Sequence, residues 1–229
     1  MPEWSEETRQ RLFQSARGLT GLFWTTLAGM GGLMIVGRDR LDGWWALAVG
    51  CAYALPLVVG LWTLGRAMAG MRRSDGYALF GAVSVALLGL GPFWTFWRTA
   101  PDSGYFAGCA AGWLAAWVVW LSLACWLTRR YAVDLGDRAL VSEATMAAGL
   151  TALFGAGVAG LVTVTLRNQG VPIETATMLA AARRLFQESR LVVFFPFLLT
   201  AYTLWLGKEA GYKRLMGGRD RDGGEARWN

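Results

Sequence analysis

The chain has 229 residues, of which 55% are apolar and only 17% are charged, with no histidine and a formal net charge of +6. A soluble domain carries about 25% charged residues, and here the charges stand in clusters between long uncharged stretches. The absence of histidine excludes histidine-ligated haem, histidine-bearing zinc sites and catalytic triads with a histidine base. Because the basic residues flank apolar segments, they indicate contact with lipid headgroups and not with nucleic acid.

Residues 1–17 precede the first uncharged stretch and are predicted as a cytoplasmic amphipathic helix. Ser5 is placed to cap this helix, and Glu6 and Glu7 fall in its first turn, where acidic side chains are favoured. The acidic residues of the segment offset its arginines, so the net positive charge of a cleaved signal peptide is missing.

Six uncharged stretches predict an all-α fold, a polytopic bundle of transmembrane helices. A bilayer-spanning helix needs about 20 consecutive apolar residues, and each stretch was bounded by its nearest charged residues. The predicted spans are 18–37, 43–65, 76–97, 103–128, 144–166 and 191–207. Together they form one membrane domain, residues 18–207.

Two segments near the end of the chain are predicted outside the spans. Residues 172–190 read as an interfacial amphipathic helix on the outer surface, opened by Pro172, with Met178 and Leu185 on its apolar face. Residues 208–229 read as a polar, basic tail whose glycine-rich composition is typical of a flexible segment.

Lysine and arginine are unequally divided between the two sides of the predicted bundle. Fifteen of the 22 lie on the side that carries both termini. The more positive side stays in the cytoplasm, which predicts cytoplasmic N- and C-termini. Short loops and this strong asymmetry favour a multi-pass protein of a bacterial inner membrane.

Aromatic residues are concentrated near the predicted ends of the spans. This distribution is typical of an aromatic belt at the membrane interface, and the alternative is a stacking platform for a ligand at the outer face. The outer set comprises Trp44, Trp45, Trp94, Trp97 and Tyr105, and the inner set comprises Trp62, Trp126, Tyr131 and Trp205.

Small residues recur at every fourth position of the fourth and fifth spans. Such ridges allow close approach of helix backbones in lipid, where no hydrophobic force drives helices together. They predict packing within the chain or a docking face for a partner protein or a second copy. The face comprises Gly104, Gly108, Gly112, Ala116, Ala148, Ala152, Ala156 and Gly160.

Arginines on the predicted outer side form the remaining candidate site. Arg38, Arg40, Arg98, Arg183 and Arg184 lie in or beside the outer loops. Because arginine binds phosphate and carboxylate groups bidentately, convergence of these loops would create a site for a lipid headgroup or another anion. The alternative is that each charge is solvated or reaches the headgroup region separately.

No catalytic, cofactor-binding or metal-binding residue is predicted, and no cofactor is expected. The predicted spans contain no Asp, Glu, Lys or Arg, whereas ion-coupled carriers usually bury such a group. The run from Gly155 to Gly160 matches G-x-G-x-x-G, but it lies inside a span and follows no strand, so it does not indicate nucleotide binding.

Three classes of function therefore stay open. The favoured class is a non-catalytic membrane subunit or accessory protein, held to partners by the small-residue faces. The alternative is a small uncoupled permease or lipid-handling transporter, whose spans contain Pro56, Pro92 and Pro196 as kink sites. The weakest is an enzyme that acts at the membrane interface through Asp and Arg side chains.

Overall fold

A computed structural model describes residues 6–36, 43–68, 75–188 and 190–224. Over these ranges the chain forms seven helices and no strand, which confirms the predicted all-α class. The helices are α1 (Glu6–Val36), α2 (Gly43–Met68), α3 (Asp75–Thr99), α4 (Gly104–Leu135), α5 (Arg138–Asn168), α6 (Thr175–Glu188) and α7 (Arg190–Gly224).

Within the described ranges, three helices are long and apolar enough to cross a membrane. They are Gly76–Thr99 in α3, Gly104–Leu135 in α4 and Arg138–Asn168 in α5, and α2 adds the shorter apolar stretch Ala54–Arg66. At about 1.5 Å per residue the 24 residues of Gly76–Thr99 extend about 36 Å, more than the roughly 30 Å of a bilayer core. The length and apolar composition of these helices indicate a membrane protein.

The first and last helices extend beyond the predicted spans. α1 runs without interruption from Glu6 to Val36, so the expected separate N-terminal helix is the first part of α1. α7 continues to Gly224, and residues 208–224 are helical where the sequence predicted a flexible tail. Part of this extension packs on the bundle, because Gly211 is buried and Arg214 donates a hydrogen bond of 2.8 Å to the carbonyl of Leu135.

The connection between α4 and α5 is a tight turn with a cap on each side. Gly136 ends α4 with φ of 70°, a left-handed conformation that glycine adopts without steric cost. Asp137 then caps α5, accepting a hydrogen bond of 3.1 Å from the amide of Leu140. So short a connection makes α4 and α5 antiparallel neighbours.

Glycine contacts show the directions of α1, α2 and α7. Gly18 lies against Leu64 and Gly21 against Gly60, so α1 and α2 are antiparallel. On α7, Gly207 faces Thr128 and Leu19, whereas Gly211 faces Tyr131 and Ala16. α7 is therefore parallel to α4 and antiparallel to α1. It follows that α6 joins α5 to α7 at one end of the bundle.

α4 is the central helix, and α5 is peripheral. Thirteen of the 32 residues of α4 are buried, among them three tryptophans. Only six of the 31 residues of α5 are buried: Leu140, Ala144, Ala147, Thr151, Val162 and Leu166. One side of α5 thus packs on the bundle, and the opposite side faces outward.

Candidate functional site

Five tryptophans form a continuous column through the core between α3 and α4. Neighbouring ring centroids are 5.4 Å apart for Trp97 and Trp94, 5.8 Å for Trp94 and Trp113, and 6.4 Å for Trp113 and Trp117. Trp120 follows at 5.6 Å from Trp117. The α4 members are three or four residues apart, which places them on one helix face.

The position of Trp94 and Trp97 differs from that expected for an aromatic belt. Both side chains are buried, at 3% and 4% exposure. Trp94 packs against Trp113 inside the bundle, and Trp97 packs against Trp94. Tyr105 is 67% exposed, as a belt residue would be. Trp44 and Trp45 lie where the structure gives no side-chain description.

Hydrogen bonding in the tryptophan column is uneven along its length. Trp120 Nε1 donates to Ser84 Oγ at 3.0 Å, and that hydroxyl donates to the Phe80 carbonyl at 2.7 Å. At the other end, the indole nitrogens of Trp94, Trp97 and Trp113 are buried without a hydrogen-bond acceptor among the described residues. The column is thus tied at Trp120 and held elsewhere by ring contacts, which favour the tilted and edge-to-face geometries seen here.

A cavity of about 420 Å³ lies beside the tryptophan column, between α4, α5, α6 and α7. Its floor includes Trp117 and Phe197, whose ring centroids are 5.3 Å apart. Lining residues from α5 include Val158, Ala159 and Val162. α6 supplies Thr175, Met178, Leu179 and Ala182. These α6 positions follow the i, i+3, i+4, i+7 spacing of one helix face.

The cavity wall carries no group suited to acid–base or metal chemistry. Its lining is almost wholly apolar, and the hydroxyl of Thr175 is one of its few polar groups. The described residues contain no group of three or more His, Cys, Asp or Glu side chains that could hold a metal ion. The geometry therefore suits the binding of an apolar chain.

The structure describes three of the five predicted outer arginines. Arg183 is half-buried and Arg184 exposed on α6, whereas Arg98 is half-buried at the end of α3. Among the described residues α3 and α6 are not packed directly against each other, so Arg98 and the α6 pair lie on helices that are not direct neighbours. Arg38 and Arg40 lie outside the described residues.

The small-residue ridge of α5 is turned away from the bundle. Ala152, Ala156 and Gly160 are exposed and Ala148 is half-buried. A Cβ atom built on Gly160 would meet no described atom within 4 Å. Packing of α5 on α4 uses a different residue, Gly155, which lies against Val118.

The ridge on α4 divides into an exposed half and a contacting half. Gly104 and Gly108 are exposed, and a Cβ atom on either would meet no described atom within 4 Å. Gly112 lies near Leu90 of α3, and Ala116 is half-buried. Part of the α4 ridge thus packs against α3, whereas the exposed residues of the α5 ridge do not take part in the packing of the described bundle.

The fold and these features define a class: over the described residues, an all-helical protein with helices long and apolar enough to span a membrane, an aromatic core and a lateral apolar cavity. Comparison with protein-family models, curated proteins and solved structures finds no match for this chain. Its function is therefore argued from its own geometry.

Proposed function

We propose that the chain crosses a bacterial inner membrane six times, with both termini in the cytoplasm and α6 at the outer interface. The parallel course of α4 and α7, with α1 antiparallel to α7, supports an even number of crossings. Three cation–π pairs, two near the ends of α2 and α4 and one at the end of the predicted sixth span within α7, support one common inner side. They join Trp62 to Arg66, Trp126 to Arg130 and Trp205 to Lys208, at 4.9, 3.7 and 3.3 Å.

Reporter fusions test this topology directly. A fluorescent protein that matures only in the cytoplasm should fluoresce when fused after Asn229, and alkaline phosphatase at that position should be inactive. The same two reporters inserted after Gly170, between α5 and α6, should give the opposite result. Phosphatase activity at the C-terminus would contradict the proposed orientation.

We further propose that the protein is a non-catalytic membrane subunit whose α5 docks a transmembrane helix of a partner or of a second copy. The observation that carries this proposal is the exposed ridge on α5. Small residues gather where membrane helices touch, because close backbone approach gives the packing and polar contacts that hold helices together in lipid. The ridge is defined by Ala148, Ala152, Ala156 and Gly160.

The interior of the bundle favours this class over a permease. The tryptophan column fills the space between α3 and α4, where a neutral pathway would need room. No Asp, Glu, Lys or Arg is found among the buried side chains of the described part of the chain. Buried hydroxyls such as those of Thr26 and Thr128 bond to carbonyls of their own helix.

Filling the ridge should release the partner. The variant Ala152→Leu with Ala156→Leu places two large side chains on the proposed contact surface, so we expect at least a tenfold loss of the bound partner or of the dimer. Native mass spectrometry of protein extracted gently from its own membrane measures how much of the chain carries a partner or forms a dimer. A partner of different mass supports a hetero-complex, and a doubled mass supports association of two copies.

A matched control lies on α3. Ala78 and Ala82 are both exposed and have the same four-residue spacing, so Ala78→Leu with Ala82→Leu adds equal hydrophobic area at an unrelated surface. This variant should keep the complex. A wild-type protein that is monomeric and alone, or a ridge variant that keeps its partner, would overturn the subunit proposal.

A further inference from the structure

The cavity between α4, α5, α6 and α7 has a size and a chemistry that select its occupant. We propose that it binds an acyl chain of an anionic phospholipid, whose phosphate group is held by Arg183 at the flank of α6. This proposal does not rest on the subunit function, since the cavity uses Val158, Ala159 and Val162 of α5, and the ridge uses other positions.

Water is a poor occupant of this space. A buried water molecule needs two to four polar partners, and the lining offers almost none. An empty space of about 420 Å³ would leave its lining without the dispersion contacts that close packing supplies. Acyl chains surround the bundle in a bilayer and match the lining chemically.

The cavity volume of about 420 Å³ is that of a small-molecule site. Cavities of about 300–1,000 Å³ suit small apolar ligands. The volume therefore favours a single flexible chain.

Charge around α6 favours an anionic headgroup. Ala182 lines the cavity, and the half-buried Arg183 lies about 100° further round α6, at the flank of the cavity-lining face. The exposed Arg184 lies on the opposite side of the helix. The segment 167–190 carries four arginines against two glutamates, so its net charge is positive. Arginine forms paired hydrogen bonds with phosphate oxygens, so Arg183 beside the cavity-lining Ala182 can contact the headgroup of a lipid whose chain occupies the cavity.

Cavity-filling variants test the chain site. Purified protein is incubated with vesicles of equal parts phosphatidylglycerol and phosphatidylcholine, re-extracted and analysed by native mass spectrometry. The wild type should retain phosphatidylglycerol, and Ala159→Phe should lower retention at least tenfold. Ala182→Phe fills the same space from α6 and provides a second variant should the first not fold. Ala82→Phe, on the exposed face of α3, should retain lipid as the wild type does.

Charge variants test the headgroup site. Arg183→Gln should abolish the preference for phosphatidylglycerol over phosphatidylcholine, while the total lipid retained falls less. Arg184→Gln removes an equal charge from the opposite side of α6 and should keep the preference. Equal retention by the wild type and both folded cavity-filling variants would overturn the chain site. An unchanged preference in Arg183→Gln would overturn the assigned headgroup contact, and a protein segment found in the cavity would overturn the lipid assignment.

Discussion

Replacing Trp120 with alanine is expected to lower the free energy of unfolding by about 3–5 kcal/mol, the range for removal of a buried aromatic side chain. Trp120 is fully buried, and its ring stacks on Phe80 at a centroid distance of 5.3 Å. It also donates the hydrogen bond to Ser84 that ties α4 to α3. Unfolding in detergent micelles titrated with SDS, followed by far-ultraviolet circular dichroism, measures the change.

Two further variants separate the causes of this loss. Trp120→Phe keeps a ring against Phe80 but removes the N–H donor, and it should cost about 1–2 kcal/mol. Ser84 keeps its own bond to the Phe80 carbonyl, so its hydroxyl is not left unpaired. Trp24 is 57% exposed, and Trp24→Ala should change stability by less than about 1 kcal/mol. An equal effect of Trp24→Ala and Trp120→Ala would contradict the central role of the column.

Replacing Gly21 with a larger residue is expected to destabilise the packing of α1 against α2. A Cβ atom at Gly21 would lie 2.7 Å from the Gly60 Cα and 3.0 Å from the Gly60 nitrogen, and these backbone atoms cannot rotate away. Overpacking costs about 1–3 kcal/mol or more, whereas alanine gains at most about 1 kcal/mol of helix propensity over glycine. The net expectation is destabilisation by about 1–2 kcal/mol for Gly21→Ala and about 3 kcal/mol for Gly21→Leu.

Other glycines give a graded comparison in the same SDS titration. At Gly60 the nearest atoms lie at 3.2 Å, so Gly60→Ala should cost less than Gly21→Ala. A Cβ atom on Gly81 of α3 would meet no described atom within 4 Å. Gly81→Ala should therefore raise stability by about 0.5–1 kcal/mol through propensity alone. If Gly21→Ala were also stabilising, the close contact between α1 and α2 would be refuted.

The sequence predicted the helices of this bundle well and their ends less well. Long uncharged stretches predict α3, α4 and α5, because a helix is the conformation that pairs every backbone group within one apolar segment. The predicted helix ends were wrong for α1 and α7, because charged residues were taken as the ends of the spans. The extension of α7 is helical past Lys208 partly because Gly211 fits against Tyr131 and Ala16, a contact between residues far apart in the chain.

The candidate sites were less predictable. The α5 ridge is visible as a pattern, but the pattern is the same whether the ridge faces α4 or the outside. The tryptophans of α4 share a predictable face, whereas the burial of Trp94 against Trp113 depends on how α3 meets α4. The cavity has no signal of its own, since its lining residues come from separate helices.

The sequence by itself determined the class of this protein, since apolar length, charge clusters and the absence of histidine are local or compositional properties. Only the tertiary structure decided which small residues are used within the chain and which remain exposed. It also placed the apolar face of α6 over a cavity. The physical reason is that a periodic pattern defines a helix face, whereas the neighbour of that face depends on close packing between distant segments.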